Sequence, residues 1–361
     1  MNILYGVPGE GMGHATRSKV IITYLLSLNH NVQVVSSERA FKFLSESFPG
    51  RVHEIKGFHL QFKNAQVSKR KTFSNTLKTS PTNLIKNVRA YRLLSSNFSP
   101  DLVISDFESF AYYFAKLHKT PIISIDNMQV INRCKLDVTI PSGEKENYYI
   151  GKNIVKAKLP GCDHYFITAF FEATVRKDNT TMVQPIIRNE ILKAKTSQQQ
   201  HIVVYQSSSS QGNLVEILKR IPSQTFFVYG FNKTEQHGNV QLKSFSEKGF
   251  IDDLASAKAV ITNGGFSLIS EAVYLHKPIC SIPIKNQFEQ LLNGLHVEKM
   301  QYGRCFPEFS ADSIKSFLFD LDTFSVALGN YKQNGNEELF KNLTSTIKTI
   351  ESEIATSVSP Q

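Results

Sequence analysis

Short apolar runs alternate with helical patterns along almost the whole chain, and this alternation leaves few architectures open. Strand and helix repeated in turn is the pattern of parallel sheets covered by helices. In the first half the strand-like runs are Asn2–Val7, Asn31–Ser36, Arg51–Ile55, Asp101–Ser105, Pro121–Ile125 and His164–Thr168. Helical patterns fall between them at His14–Leu28, Pro81–Phe98 and Phe107–His118. The alternation breaks at Arg176–Thr181, and the polar stretch Arg188–Gln200 reads as a connector. A second series follows, with strands at His201–Gln206, Thr225–Tyr229, Val240–Lys243, Ala259–Thr262 and Pro278–Ile282. Its helices are expected at Gly212–Arg220, Phe266–Leu275, Phe288–Met300 and Ala311–Leu321.

A chain of 361 residues suits two such α/β domains. The expected division is an N-terminal domain over 1–185, a linker over 186–200, a C-terminal domain over 201–335 and a final helix over 336–354. In that helix Leu339, Leu343, Ile347, Ile350 and Ile354 share one face, which needs a surface to cover.

Several classes are excluded early. Apolar runs such as Val20–Leu28 fall well short of the ~20 residues of a membrane span. Met1–Val7 runs straight into a strand pattern without a basic leader, so no signal peptide is expected. Cys134, Cys162, Cys280 and Cys305 are scattered and form no CxxC pair, against a zinc site or a disulfide framework. A reducing cytoplasm is the expected compartment.

Net charge is +10, carried by the first half: residues 1–180 hold 24 Lys and Arg against 14 Asp and Glu, and the remainder holds 17 of each. Such a field attracts anionic partners or simply keeps a surface solvated. Lys69, Arg70, Lys71, Lys78, Lys86, Arg89 and Arg92 fall in one stretch, and the last three fan over part of a helix. A peripheral position on an anionic membrane is one expectation. Nucleic acid is not expected, because no reading motif or interleaving of basic and aromatic residues is present.

Three motifs carry chemistry. The first is the turn Gly9, Gly11, Gly13 followed by His14, between a strand and a helix. Glycines let a ligand approach the backbone, and the helix start offers free N–H groups to negative charge. A dinucleotide fingerprint is the rival reading, although His14 stands where its third glycine belongs, with Glu38 as the candidate ribose acid. A histidine here could take a proton from a hydroxyl, or could be an ordinary helix residue. The second motif, Ser105-Asp106-Phe107-Glu108, ends a strand on the same sheet edge. Asp106 could orient His14 or cap the next helix.

The third and most specific motif is Thr262-Asn263-Gly264-Gly265-Phe266-Ser267 with Glu271 beyond it. A strand ending in two glycines and an immediate helix can receive a diphosphate, and a carboxylate within two turns could accept from ribose hydroxyls. Glu289 and Gln290, at the start of a later helix, could bind sugar hydroxyls or be a surface turn.

Taken together, the GxGxGH turn and TNGGFSLISEA followed by NQFEQLLNG resemble nucleotide-sugar glycosyltransferases of the GT-B fold. The lipid I N-acetylglucosaminyltransferase and the UDP-glycosyltransferases are similar, as is a bacterial and archaeal teichoic-acid-type group through SDFE and the run Asp126–Gln129 with Asn127. The resemblance implies an α/β fold of two Rossmann-like domains facing each other across a cleft, with the C-terminal helix packed back on the N-terminal domain. It implies His14 as base with Asp106 as its partner. Gly9, Gly11, Gly13, Glu108 and Asn127 would then lie on the acceptor side. On the donor side it implies Ser207, Gln211 and Gly212, the backbone at Phe250 and Ile251, then Asn263, Gly264, Gly265, Ser267, Glu271, Glu289 and Gln290. Two departures leave the nucleotide open: Asn263 replaces the His of the HxG signature, and the chain has no tryptophan to stack on uracil.

The implied reaction is a metal-free, inverting transfer of a sugar from a nucleotide diphosphate, with UDP the first expectation, to a glycolipid or saccharide hydroxyl. No cofactor is expected beyond the nucleotide sugar. Asp320-Leu321-Asp322 lies in a helical pattern and does not read as a metal-binding DxD. The alternatives are a UDP-N-acetylglucosamine epimerase and a dinucleotide-dependent oxidoreductase, and the latter gives the second glycine turn no task.

Overall fold

The computed structural model describes residues 1–9, 11–56, 81–206 and 213–358. Ser207, Gln211, Gly212 and the basic run from Lys69 to Lys78 therefore lie outside the described residues. The chain forms two compact units. The first comprises Met1–Asp137, Lys145–Ile186 and Glu337–Gln361, the second Val138–Glu144 and Ile187–Asn336.

The first unit holds β1 (Asn2–Val7), β2 (Asn31–Ser36), β3 (Val52–Glu54), β4 (Leu102–Ser105) and β5 (Ile122–Asp126). After these come β6 (Cys134–Lys135), β7 (His164–Thr168), β8 (Thr174–Val175) and β9 (Thr180–Val183). Seven of them make one parallel sheet in the order β3-β2-β1-β4-β5-β7-β9, while β6 and β8 form a small antiparallel pair. The expected break at Arg176–Thr181 is therefore wrong at its end, since Thr180 already pairs with Tyr165 in an edge strand.

The second unit holds β10 (His201–Tyr205), β11 (Thr225–Tyr229), β12 (Glu235–His237), β13 (Val240–Leu242), β14 (Ala259–Thr262), β15 (Ile279–Ser281) and β16 (Gly303–Cys305). Their order is β12-β13-β11-β10-β14-β15-β16, and only the β12–β13 pairing is antiparallel. In each sheet the order reverses between two central strands, β1 and β4 in the first and β10 and β14 in the second. Ligands of open α/β sheets bind beyond the carboxyl ends of strands at such reversals.

Arg188–Gln200 is not a free connector. It forms the short helix Asn189–Leu192, and the N–H groups of Ser197 and Gln199 donate to Ala255 and Ser256 at the end of helix Glu247–Ser256. The buried Lys277 ammonium donates to the Ser197 carbonyl at 2.6 Å. Asn336 closes the second unit, accepting from the Ile187 N–H at 2.8 Å and donating to its carbonyl at 2.7 Å.

The last helix, Glu337–Val358, belongs to the first unit. Leu339, Leu343, Ile347 and Ile350 enter the same core as Ile3, Ile21, Leu25 and Val32, and Ile354 packs at its margin. Phe340 stacks on Tyr24 with ring centroids 3.9 Å apart, and the Tyr24 hydroxyl meets Thr344 Oγ1 at 2.6 Å. No helix among the described residues is long and apolar enough to cross a membrane.

Leu343 is fully buried, so Leu343→Ala should lower unfolding free energy by ~2–5 kcal/mol in urea titrations. Lys348→Ala, on the exposed face, should stay within ~0.5 kcal/mol of wild type.

Candidate active site

Helix Met12–Ser27 starts just beyond β1, and the chain turns into it at Gly11, whose φ of 81° is open to glycine at little cost. Its N-cap residue is Gly11, which offers no side chain to bond the first N–H groups. Gly9 sits against Ser37, where any side chain would collide with Ser37 Oγ, and Gly13 lies in the first turn.

His14 follows, one quarter exposed, with Nδ1 3.0 Å from Asp106 Oδ1. Asp106 comes directly after β4, and its N–H donates to the Gly6 carbonyl at 2.9 Å, so the register of β1 with β4 sets this approach. Asp106 is 1% exposed and heavily supplied with donors. Arg17 embraces it, with Nε to Oδ2 at 2.8 Å and Nη2 to Oδ1, and Ser18 Oγ donates to Oδ2 at 3.0 Å. Burial alone would raise this carboxyl; the Arg17 guanidinium and His14, by charge and hydrogen bonding, instead hold it well below the usual carboxylate range.

Arg17 was not singled out from the sequence, because a lone arginine in a helix usually reads as solvated. The available signal was spacing: residues 14, 17 and 18 lie on one helix face. Arg17 also donates to Asn127 Oδ1 at 2.9 Å, so the acceptor-side candidate Asn127 joins the cluster, itself buried. Arg17 Nη2 lies 2.8 Å from His14 Nδ1 as well. His14 Nδ1 thus faces both a carboxylate oxygen and a guanidinium nitrogen: protonated, it donates to Asp106 and leaves its lone pair on Nε2; unprotonated, it accepts from Arg17.

Glu108, expected on the acceptor side, has a structural task in its own helix. It caps helix Ser109–His118, with Oε1 accepting from the Phe110 N–H at 2.8 Å and Oε2 from the Ala111 N–H at 2.7 Å. Burial raises its carboxyl despite these bonds, and both oxygens are engaged by the backbone.

In the second unit β14 ends at Thr262, and Asn263, Gly264 and Gly265 turn into helix Phe266–Tyr274. Gly264 has φ 88°, and a Cβ there would lie 2.6 Å from the Gln290 carbonyl, so position and conformation both demand glycine. Gly265 is the N-cap residue and supplies no side-chain cap bond; Ser267 lies half-buried in the first turn. Helix Phe288–Lys299 braces the turn: Asn293 donates to the Gly264 carbonyl at 3.0 Å, and Gln290 Oε1 accepts from the Ile284 N–H at 3.0 Å. Asn263 is buried and donates to the Ile282 carbonyl at 3.3 Å, and Glu289 is half-buried in the first turn of that bracing helix.

Glu271 is buried on helix Phe266–Tyr274 and faces Arg188. Arg188 Nη2 donates to Oε2 at 2.9 Å, Nε lies 2.7 Å from Oε1, and Nη1 donates to Glu247 at 3.0 Å. Burial raises the Glu271 carboxyl, and Arg188 offsets part of that. The side chains of Phe250 and Ile251 are core residues of helix Glu247–Ser256, and the Phe250 N–H is bonded to the Ser246 carbonyl at 2.8 Å. No group of three or more His, Cys, Asp or Glu that could hold a metal ion occurs among the described residues.

A family model described as Glycosyl transferase family 1 matches residues 1–322. A curated relative from Methanosarcina acetivorans, named only as an uncharacterized glycosyltransferase, is 24% identical over 360 residues, covering 89% of this chain and 90% of its own. Among solved structures, the glycotransferase of kitacinnamycin superposes with a TM-score of 0.67 at 14% identity, over 97% of this chain and 98% of that one. LpCGTa, solved in complex with UDP, gives 0.64 at 13% identity over 95% and 98%. The fold is thus the two-domain α/β GT-B type.

Asp106 should make acid stability measurable. Its folded pKa is depressed, so its contribution is fully present above an unfolded value of about 4 and is lost as pH falls through the folded value. Asp106→Asn should cost ~3–5 kcal/mol at pH 7, with the gap to wild type shrinking below about pH 4. A gap that stays constant from pH 7 to 2.5 in denaturant titrations would contradict this.

Proposed function

The chain belongs to glycosyl transferase family 1 and is a glycosyltransferase, and on that premise we propose an inverting, metal-independent transfer from a nucleoside diphosphate sugar, UDP foremost, to a hydroxyl of a cell-envelope glycolipid or polysaccharide. The observation that carries this reading is the contact of His14 Nδ1 with the buried, anionic Asp106. In the tautomer whose Nδ1 proton points to that carboxylate, Nε2 is left to remove the acceptor proton, and Asp106 stabilises the imidazolium that results.

On the donor side, Gly264 and Gly265 let a diphosphate reach the uncapped start of helix Phe266–Tyr274. The N–H groups and the positive helix end would stabilise the departing nucleoside diphosphate, the task a metal ion performs elsewhere. Glu271 is the proposed ribose ligand. A carboxylate has about four acceptor sites, so the two contacts from Arg188 leave room for ribose hydroxyls while fixing the group's orientation. LpCGTa was solved with UDP, which supports UDP as the first nucleotide to test. Attack by the acceptor oxygen on the anomeric carbon in one displacement inverts its configuration.

A cytoplasmic position against the inner membrane face is part of the proposal. Val88 and Leu93 are exposed on helix Pro81–Asn97 together with Arg89 and Arg92, a mixture of apolar and basic side chains suited to anionic headgroups. Binding to phosphatidylglycerol vesicles at low salt should weaken in Arg89→Gln/Arg92→Gln, and a protein that ignores such vesicles would end this part of the proposal.

UDP, TDP, GDP and NAD should be compared by thermal shift, and a nucleoside diphosphate should raise Tm where NAD does not. His14→Ala should cut transfer of labelled sugar to an envelope fraction by ~10²–10⁴-fold with UDP affinity unchanged. Glu271→Gln should weaken UDP binding about 10- to 100-fold, corresponding to one charged hydrogen-bond pair. Stabilisation by NAD alone would replace this reading with the dinucleotide one.

A further inference from the structure

Five cations of the first unit gather away from His14 and Asp106. Arg133 ends helix Val130–Arg133, and its backbone carbonyl accepts from the Arg176 N–H at 2.8 Å where β6 and β8 pair. The Arg133 guanidinium lies 3.7 Å over the Tyr165 ring and donates to Thr180 Oγ1 at 2.6 Å and to the Asp178 carbonyl. Lys177 Nζ donates to Asn132 Oδ1 at 2.7 Å. Helix Lys145–Lys158 packs against this segment, with Lys152 and Lys156 one turn apart on one face.

The strand register gives the location. Tyr165 and Thr180 stand at the amino ends of β7 and β9, whereas His14 and Asp106 lie beyond the carboxyl ends of β1 and β4. In a parallel sheet these are opposite edges. Among the described residues none of the five cations forms an ion pair with a carboxylate, and Asp178 meets Arg133 only through its main-chain carbonyl.

We propose that Lys152, Lys156, Arg176 and Lys177, with the charge of Arg133 behind them, form a second anion site that takes clustered phosphate groups. Like charges held together without counterions repel one another, and a multivalent anion relieves that repulsion. Lys177 already carries the imprint: burial first, then the charges of Arg133, Lys156, Lys152 and Arg176, push its ammonium below the ordinary lysine value. Lysines provide point charges and Arg176 a planar fork, both suited to phosphate oxygens. The site accounts for part of the positive excess of the first half of the sequence and does not depend on the donor assignment.

The test compares wild type with Lys156→Gln/Lys177→Gln, both exposed positions, against sodium tripolyphosphate by calorimetry and against phosphatidylglycerol vesicles by sedimentation, at low salt. Wild type should bind at least one of the two probes, and the double variant should bind it at least 10-fold more weakly with unchanged Tm and unchanged UDP affinity. Binding of tripolyphosphate alone identifies a soluble phosphate-bearing ligand; binding of vesicles alone, retained in Arg89→Gln/Arg92→Gln and lost in Lys156→Gln/Lys177→Gln, identifies lipid headgroups. Failure of wild type to bind either probe, or equal binding by the double variant, overturns the proposal, and neither result bears on His14 or Glu271.

Discussion

A carboxylate excluded from water is stable as an anion only where donors replace the water it has lost, and Asp106 has four such contacts from one helix. All four come from residues 14, 17 and 18, so helix Met12–Ser27 is fastened to the end of β4 by charge as well as by its apolar face. That fastening joins the two strands flanking the reversal of strand order. The histidine is thereby placed by the same bonds that neutralise the acid.

The second unit meets the converse problem. Helix Phe266–Tyr274 has Gly265 as its N-cap residue, which offers no side chain, and the chain reaches it through a glycine whose neighbours leave no space for a side chain. Uncapped N–H groups are a liability in a sealed interior and an asset beside an anion. Glu271, one and a half turns along, is paired with Arg188, a residue from the segment that reads in sequence as a mere connector. The connector thus holds the side chain of the candidate site's carboxylate.

Much of this was legible in the sequence, because strands buried on both faces leave continuous apolar runs. The bounds of β1, β2, β7, β11 and β14 agree with the sequence reading, as does the buried face of the last helix. What escaped was of three kinds. Edge strands such as β9, β12 and β16 are short or polar, since one partner and partial exposure suffice for them. Helix Lys145–Lys158 buries only Val155, too little to mark a periodic face. Finally, Arg17 and Glu108 carry side chains whose type misleads: the arginine is buried by its pairing with Asp106, and the carboxylate serves its own helix. The Asn263–Gly265 turn was readable as a turn because its two glycines stand between an apolar run and a helical pattern.

The final helix has a bearing on how the chain comes into being. Leu339, Leu343, Ile347 and Ile350 are synthesised more than 300 residues after Ile3, beside which they end. A ribosome releases the amino-terminal sheet long before the helix that seals it, so during translation that sheet waits with an apolar surface uncovered while the second unit is completed. Joining these distant parts of the chain is therefore a late step, and one of large sequence separation.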